Sequence, residues 1–426
     1  MTLPFQWSSP SIQSLSRVVP VSEWPRCDPR RQQRLASSLT GWLATMRPRG
    51  DLRVTVVIPD DTRPIRPTRV LPPVLDAIAE AAERRDSSME AHILVGSGLH
   101  HPPSDDYMRQ LERSAAPFRD DWRLSVSWGV HDAAATEAAG RPLNPLVMDS
   151  HCNITIGLVE PHQYAGFSGG LKGLSVGCGS VSTIAGLHSL EILRQPGVQL
   201  GTVANNPFRQ SVDAIAAAHA SHTFVIALVP DPRNGDLAGL FAGTTSQVWK
   251  DAVALATQLT LVPVSNQFDF VIAQVPPEKS RSFYQASRAL TYLALHPSPC
   301  IKPGGTLVVV APCAEGYGLG AGERTFREAL GRGQTQLLDE LDGRVDPKHA
   351  LGGGAQRAYV LAQALSEYRC VLVGAPDLPE ARSAGLQQVA NLEEACLAGR
   401  GLIVDDPFVS LPYHDEERTD RLEHLT

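Results

Sequence analysis

Lys172 is the residue in this chain that chemistry singles out first. It closes a glycine-rich run, Ala165-Gly166-Phe167-Ser168-Gly169-Gly170-Leu171-Lys172, and is followed by Gly173. A lysine so placed invites a phosphate-loop reading, but that loop needs Gly directly before the lysine and Ser or Thr directly after it. Leu171 and Gly173 stand there instead. The dinucleotide fingerprint fails as well, because Gly177-Cys178-Gly179 is followed by Ser182 where its third glycine belongs. What the run keeps is a turn whose backbone amides can cradle an anion; a plain turn with a surface lysine fits equally. Two histidines flank it, His162 ten positions before Lys172 and His188 sixteen after. Imidazole can act as base, acid or metal ligand, although either histidine taken singly fits a structural role as well.

The elements around these residues alternate. Arg53–Ile58, Ala91–Val95, Leu124–Trp128, Cys152–Ile156 and Thr223–Val229 read as strands. Val70–Arg85, Val181–Arg194, Arg209–Ala220 and Ser246–Gln258 read as helices. Such alternation predicts α/β architecture with mainly parallel sheets covered by helices. A polar, proline-containing connection at Thr260–Asn266 predicts two domains. Residues 1–262 form an N-terminal α/β domain carrying the lysine and the histidines, and residues 263–426 a C-terminal α/β domain. Whether the last segment packs back on the first domain is open. The second series runs through strand Phe268–Ala273, helix Tyr284–Leu295, strand Gly305–Val310, helix Gln356–Ser366 and strand Cys370–Val373. The run Gly352–Gly354 reads as a surface loop.

Ligands of open α/β sheets gather beyond the C-terminal ends of the strands. Three polar clusters fall there. Asp60-Asp61-Thr62-Arg63-Pro64 follows the first strand, and Gly96-Ser97-Gly98-Leu99-His100-His101-Pro102 follows the second. Pro161-His162 and the glycine-rich run follow Cys152–Ile156.

Composition narrows the classes. With 43% hydrophobic and 19% charged residues over 426 positions, the chain is an ordinary globular protein, too long for a single core. A formal charge of -7 offers no basic stripe for nucleic acid; the cluster Arg26, Arg30, Arg31 and Arg34 reads as a solvated face. No window approaches a membrane span, and the start carries no secretory pattern. Seven scattered cysteines, Cys27 the first, never form a CxxC pair, which fits reduced thiols in a cytoplasm.

Taken together, the motifs resemble the lactate racemase family. The stretch from Pro161 to Lys172 is similar to the core motif of that family. Asp60–Pro64 and Gly98-Leu99-His100-x-Pro102 resemble its two upstream motifs, in the expected order. Tyr284-Gln285-Ala286-Ser287-Arg288 and Lys302-Pro303-Gly304-Gly305-Thr306 resemble its second domain. The likeness spans roughly residues 50 to 315.

The resemblance implies a racemase or epimerase that inverts C2 of a 2-hydroxy acid, lactate or another small aliphatic acid. It implies a nickel-pincer nucleotide (pyridinium-3,5-bisthiocarboxylic acid mononucleotide with nickel) joined to Lys172 through a thioamide. His188 matches the nickel ligand, and imidazole suits nickel. Ser168, Gly169 and Gly170 would lie against the cofactor, with Asp60 binding or orienting it and Tyr284 contacting it from the second domain. Arg63, Gln285 and Arg288 match substrate-binding positions, which places the active site in the interdomain cleft. Abstracting the C2 proton of a 2-hydroxy carboxylate would build a dianion. Removing that hydrogen as hydride leaves a neutral ketone at C2, provided a base takes the hydroxyl proton. His100 and His162 match the two bases, one for each enantiomer.

Two departures from the family pattern stand out. Its His-Arg-Pro is His100-His101-Pro102 here, so either histidine could be the base, with register favouring His100. Its lysine near the substrate is Arg288, which keeps the charge but presents a wider planar fork. Two rivals share the scaffold: a nickel-independent hydro-lyase or dehydrogenase, and a nickel- or nucleotide-binding protein without turnover. The Lys172–His188 pairing opposes the first, and the presence of both bases with Arg63 opposes the second. The expected partners are a small 2-hydroxy acid and the proteins that make and deliver the cofactor, with no nucleic acid and no membrane.

Overall fold

The computed structural model describes residues 12–15, 29–47, 51–63, 65–220, 222–232, 237–244, 246–345 and 353–415. Arg26, Cys27, Pro64 and Gly352 lie outside the described residues. The chain resolves into two compact units. One comprises Val21–His188 and Val203–Gln258; the other comprises Met1–Pro20, Ser189–Thr202 and Leu259–Thr426.

In chain order the strands are Ile12–Leu15 (β1), Leu52–Pro59 (β2), Met89–Gly96 (β3), Leu124–Val130 (β4) and Cys152–Leu158 (β5). A small hairpin, Pro161–His162 (β6) and Gly166–Phe167 (β7), precedes His222–Pro230 (β8) and Leu237–Gly243 (β9). Then come Leu261–Val264 (β10), Phe268–Gln274 (β11), Ile301–Val310 (β12) and Arg369–Val373 (β13). Gln387–Val389 (β14), Gly401–Val404 (β15) and Leu411–His414 (β16) complete the set.

The unit that carries Lys172 is built on a sheet of order β4-β3-β2-β5-β8-β9. Its pairings are parallel except for the edge pair β8–β9, which is antiparallel. The central strand β2 reads Leu-Arg-Val-Thr-Val-Val-Ile-Pro, and Val54 through Ile58 are all buried. A parallel strand covered on both faces demands such a continuous β-branched run. On one face Val54, Val56 and Ile58 pack with Leu39 and Leu43 of helix Pro29–Ala44 and with Leu71, Leu75 and Ile78 of helix Pro67–Arg85. On the other face Val57 and Leu94 pack with Leu174, Cys178 and Ala216. Burial of each such aliphatic side chain contributes about 1.5–3 kcal/mol. The chain runs outward from β2 through β3 and β4, then returns to β5 on the other side of β2. The switch point therefore lies between β2 and β5, where such sheets open a crevice for ligands.

The second unit has an all-parallel sheet of order β1-β15-β11-β12-β13-β14, with β10 and β16 pairing separately, also in parallel. The expected α/β class with mainly parallel sheets is thus what the chain adopts. Several local expectations differ. Val181–Arg194 is two helices, Val181–Leu187 and Leu190–Leu193, because the Ser189 hydroxyl accepts the Ile192 N–H and starts a second helix. The Thr260–Asn266 connection contains β10. Arg31, expected on a solvated face, donates to the carbonyls of Leu237 and Ala238. The six described cysteines are free thiols, five of them buried. Among the described residues no helix is long and apolar enough to cross a membrane.

Candidate active site

Asp60 is the first residue beyond β2 and is 2% exposed. Its Oδ1 accepts the Thr62 backbone N–H at 3.1 Å, and its Oδ2 lies 2.7 Å from His100 Nδ1. Burial is the largest single influence and pushes the carboxyl up. Hydrogen bonds and charge from His100, together with Thr62 and Arg63, outweigh it and leave the group below its ordinary value. Asp60 is therefore an anion, His100 donates through Nδ1, and the ring's lone pair sits on Nε2. The His100 side chain is 54% exposed, so that nitrogen faces an accessible region. The loop after β3 earns this placement with Gly98, whose φ of 57° is left-handed and whose N–H donates to Gly177 O at 2.9 Å. His101, the alternative base, is exposed, and the Asp60 bond is made by His100.

Lys172 opens the short helix Lys172–Ser175 and is half-buried. Loss of water around the ammonium, with repulsion from Arg63 and Arg209, pulls its pKa down to about 7, while Asp60 opposes the shift. Asp60, Arg63, His100 and Lys172 are thus one electrostatic neighbourhood. The turn leading to Lys172 needs its glycines. Gly169 and Gly170 have φ of 77° and 60°, and a Cβ on Gly170 would sit 2.6 Å from Arg209 Nη2. The Ser168 hydroxyl is committed to the backbone, donating to Leu158 O at 2.6 Å and accepting the Glu160 N–H at 3.0 Å. It shapes the loop.

His162 ends the first strand of the β6–β7 hairpin. Its Nδ1 accepts the backbone N–H groups of Tyr164 and Ala165 at 3.3 and 3.2 Å, which puts the neutral ring's proton on Nε2. His188 caps the C-terminus of helix Val181–Leu187 and has the reverse tautomer: Nδ1 donates to Ile184 O at 2.8 Å, leaving the lone pair on Nε2. A carbonyl bond of this kind is how ligating imidazoles are usually oriented. Both rings belong to one aromatic cluster. Tyr164 lies edge-on to His162 and His188 at 5.8 Å each, and Phe208 lies 5.1 Å from His188 and 6.3 Å from His162.

In the other unit Tyr284, Gln285 and Arg288 share helix Phe283–Ala294, which Ser282 caps. The Arg357 guanidinium covers the Tyr284 ring at 3.5 Å, and Arg288 lies over Phe408 at 5.0 Å. The sequence reading missed Tyr164, Asn206, Phe208, Arg209 and Trp249. Asn206-Pro207 was a legible helix start, and Asn206 does cap helix Pro207–His219 while donating to Tyr164 O at 2.8 Å.

Comparison with known proteins covers residues of both units. The lactate racemase N-terminal domain family matches residues 43–117 and 134–201, which include Asp60, Arg63, His100, His162, Lys172 and His188. A lactate racemase of Thermoanaerobacterium thermosaccharolyticum is 25% identical over 311 residues, covering 68% of this chain and 69% of the relative. A lactate racemase of Lactiplantibacillus plantarum is 25% identical over 280 residues, covering 63% and 62%. Among solved structures, the lactate racemase apoprotein from T. thermosaccharolyticum superposes with a TM-score of 0.72 at 20% identity, over 90% of this chain and 92% of that one. A Thermotoga maritima protein gives 0.65 at 17% identity, over 90% and 98%. The two structural likenesses speak for the fold. With the family match and the sequence relatives beside them, residues 43–117 and 134–201 are similar to the N-terminal domain of lactate racemases.

Proposed function

We propose that the chain is a racemase or epimerase that inverts C2 of a 2-hydroxy acid, lactate or another small aliphatic acid, with a nickel-pincer nucleotide tethered to Lys172. Lys172 is the observation that carries this reading. An ordinary lysine is protonated at pH 7, whereas burial holds this one down to about 7, so that about half of it is an uncharged amine able to form an amide-type bond. The donor set also fits. His188 offers a neutral imidazole Nε2, and among the described residues no group of three or more His, Cys, Asp and Glu could hold a metal. A metal on His188 would take its remaining donors from the nucleotide.

When bound, the nucleotide supplies an acceptor and donor of hydride for C2. The protein supplies the rest. Arg63 binds the substrate carboxylate, with Gln285 and Arg288 assigned to the substrate and Tyr284 to the cofactor by the family resemblance. His100 takes the hydroxyl proton at Nε2, and the Asp60 carboxylate balances the charge the ring acquires. His162 is the acid–base group for the other enantiomer. Each base contributes about 10²–10⁴-fold, and His100→Ala and His162→Ala should each lose a factor in that range. The reading also places the protein in the cytoplasm, dependent on other proteins that make and deliver the nucleotide.

Intact-mass analysis of protein from a host that makes the cofactor tests the tether: wild type gains the nucleotide's mass and Lys172→Ala does not. Substrate deuterated at C2 tests the chemistry. Hydride transfer inverts it with the label largely retained, whereas rapid exchange with solvent at C2 would overturn the mechanism.

A further inference from the structure

Arg209 lies in the first turn of helix Pro207–His219 and is 5% exposed. Its guanidinium stacks on the Trp249 ring at 3.6 Å, and its Nη1 donates to Gly169 O at 3.1 Å. Its Nη2 pairs with Asp213 Oδ1 at 2.9 Å and its Nε with Oδ2 at 3.2 Å, one helical turn on. The Trp249 indole N–H donates to Ser168 O at 2.9 Å. Two successive carbonyls of the glycine-rich loop are therefore held by this stacked pair. The fit is close: a Cβ on Gly170 would meet Arg209 at 2.6 Å and Trp249 at 2.9 Å. Lys172 follows two residues later.

We propose that Arg209, seated on Trp249, is the positioning residue for Lys172, fixing the loop that presents the amine and supplying the positive charge that keeps it nucleophilic. A buried guanidinium with a planar face and a fork of donors suits both tasks, and lysine would do only the second. The charged groups acting on Lys172 are Arg63 and Arg209, which oppose its protonation, and Asp60, which favours it. Asp213 is the counter-charge of Arg209 and weakens the field that reaches the amine.

The role of Lys172 as tether belongs to the proposed function, but this inference is measured on cofactor-free protein, so either can fail alone. Brief pulses of acetic anhydride at a series of pH values, followed by peptide mass analysis, give the titration midpoint of Lys172. Wild type should show a midpoint near 7. Arg209→Met should raise it, so that labelling at neutral pH falls. Arg209→Lys keeps the charge and should leave the midpoint nearly in place, although it loses the bond to Gly169. Asp213→Asn should lower the midpoint. A folded Arg209→Met with the wild-type midpoint would overturn the proposal. If Arg209→Met fails to fold, an unmoved midpoint in Asp213→Asn would do the same.

Discussion

Asp60 Oδ2 and His100 Nδ1 lie 2.7 Å apart, joining the loop after β2 to the loop after the neighbouring strand β3. The bond decides which ring nitrogen faces outward with a lone pair. Asp60→Asn should therefore reduce inversion by about 10²–10⁴-fold, the usual range for a positioned base, because an amide no longer balances the charge of the protonated ring. Steady-state kinetics checks this. The same carboxylate links stability to pH. Its pKa is lowered on folding, so its contribution is present above the ordinary carboxylate range and is lost as pH falls through the folded value. Denaturation midpoints measured from pH 6 down to pH 3 should show a shallower acid loss in Asp60→Asn than in wild type.

His162 and His100 have opposite tautomers, yet both are assigned proton exchange in the proposed reaction. Glutamine can imitate an Nε2–H donor but cannot accept a proton as a base. His162→Gln and His100→Gln should therefore each lose inversion by about 10²–10⁴-fold. Nitrogen NMR of histidine-labelled protein, assigned by comparison with His162→Gln, should show Nδ1 as the unprotonated nitrogen of His162. A proton on that atom would reverse the expectation.

In the proposed function His188 holds the metal and Lys172 the organic part of the cofactor. His188→Ala should lose nickel and keep the organic adduct on Lys172, read by metal analysis and intact mass on the same sample. Full nickel occupancy in the variant would remove His188 from the metal site.

Lys172 also leaves a mark on the stability curve. Its pKa is about 7 in the folded protein and 10.5 in an ordinary lysine. Between those values the unfolded chain binds the extra proton, so this lysine's effect on stability becomes more favourable as pH rises through the window. In cofactor-free protein Lys172→Met should stabilise most at pH 7 and progressively less toward pH 10. Urea denaturation at three pH values measures it, and a pH-independent difference would be the contrary result.

Gly170 tests the clamp from the loop side. Gly170→Ala adds left-handed strain of about 1–2 kcal/mol to a clash costing about 1–3 kcal/mol. Gly140 has a similar φ of 65° with no atom within 4 Å of its would-be Cβ, so Gly140→Ala should cost the strain alone. Equal losses in the two variants would mean that Arg209 and Trp249 yield easily.

The α/β class was legible because β2, β3, β5 and β8 are short runs rich in Val, Ile and Leu, set off by polar loops and alternating with helical stretches. The polar loops were legible for the same reason: Asp60, His100 and His162 stand where buried strands end. The Arg209–Trp249 clamp was not, since both residues reach backbone carbonyls 40 and 81 positions away, and a side chain meeting a distant main chain leaves no periodic trace. The break at His188 was signalled only by Ser189, a residue that favours caps over helix interiors, while the apolar spacing runs on across it through Leu190 and Leu193. Strand β15 was missed because its four residues, Gly-Leu-Ile-Val, are too short for periodicity to show.

Strand β15 has a consequence for the order in which the protein is made. It lies between β1 and β11, pairing Ile12 with Gly401 on one side and Phe270 with Gly401 on the other. The earliest of the described strands thus has no sheet to join until residues beyond 400 have left the ribosome. The unit bearing Lys172 ends at Gln258 and can close while the remainder is still being translated. Synthesis therefore delivers a finished lysine loop first, with Ile12–Leu15 left waiting for its partner strand.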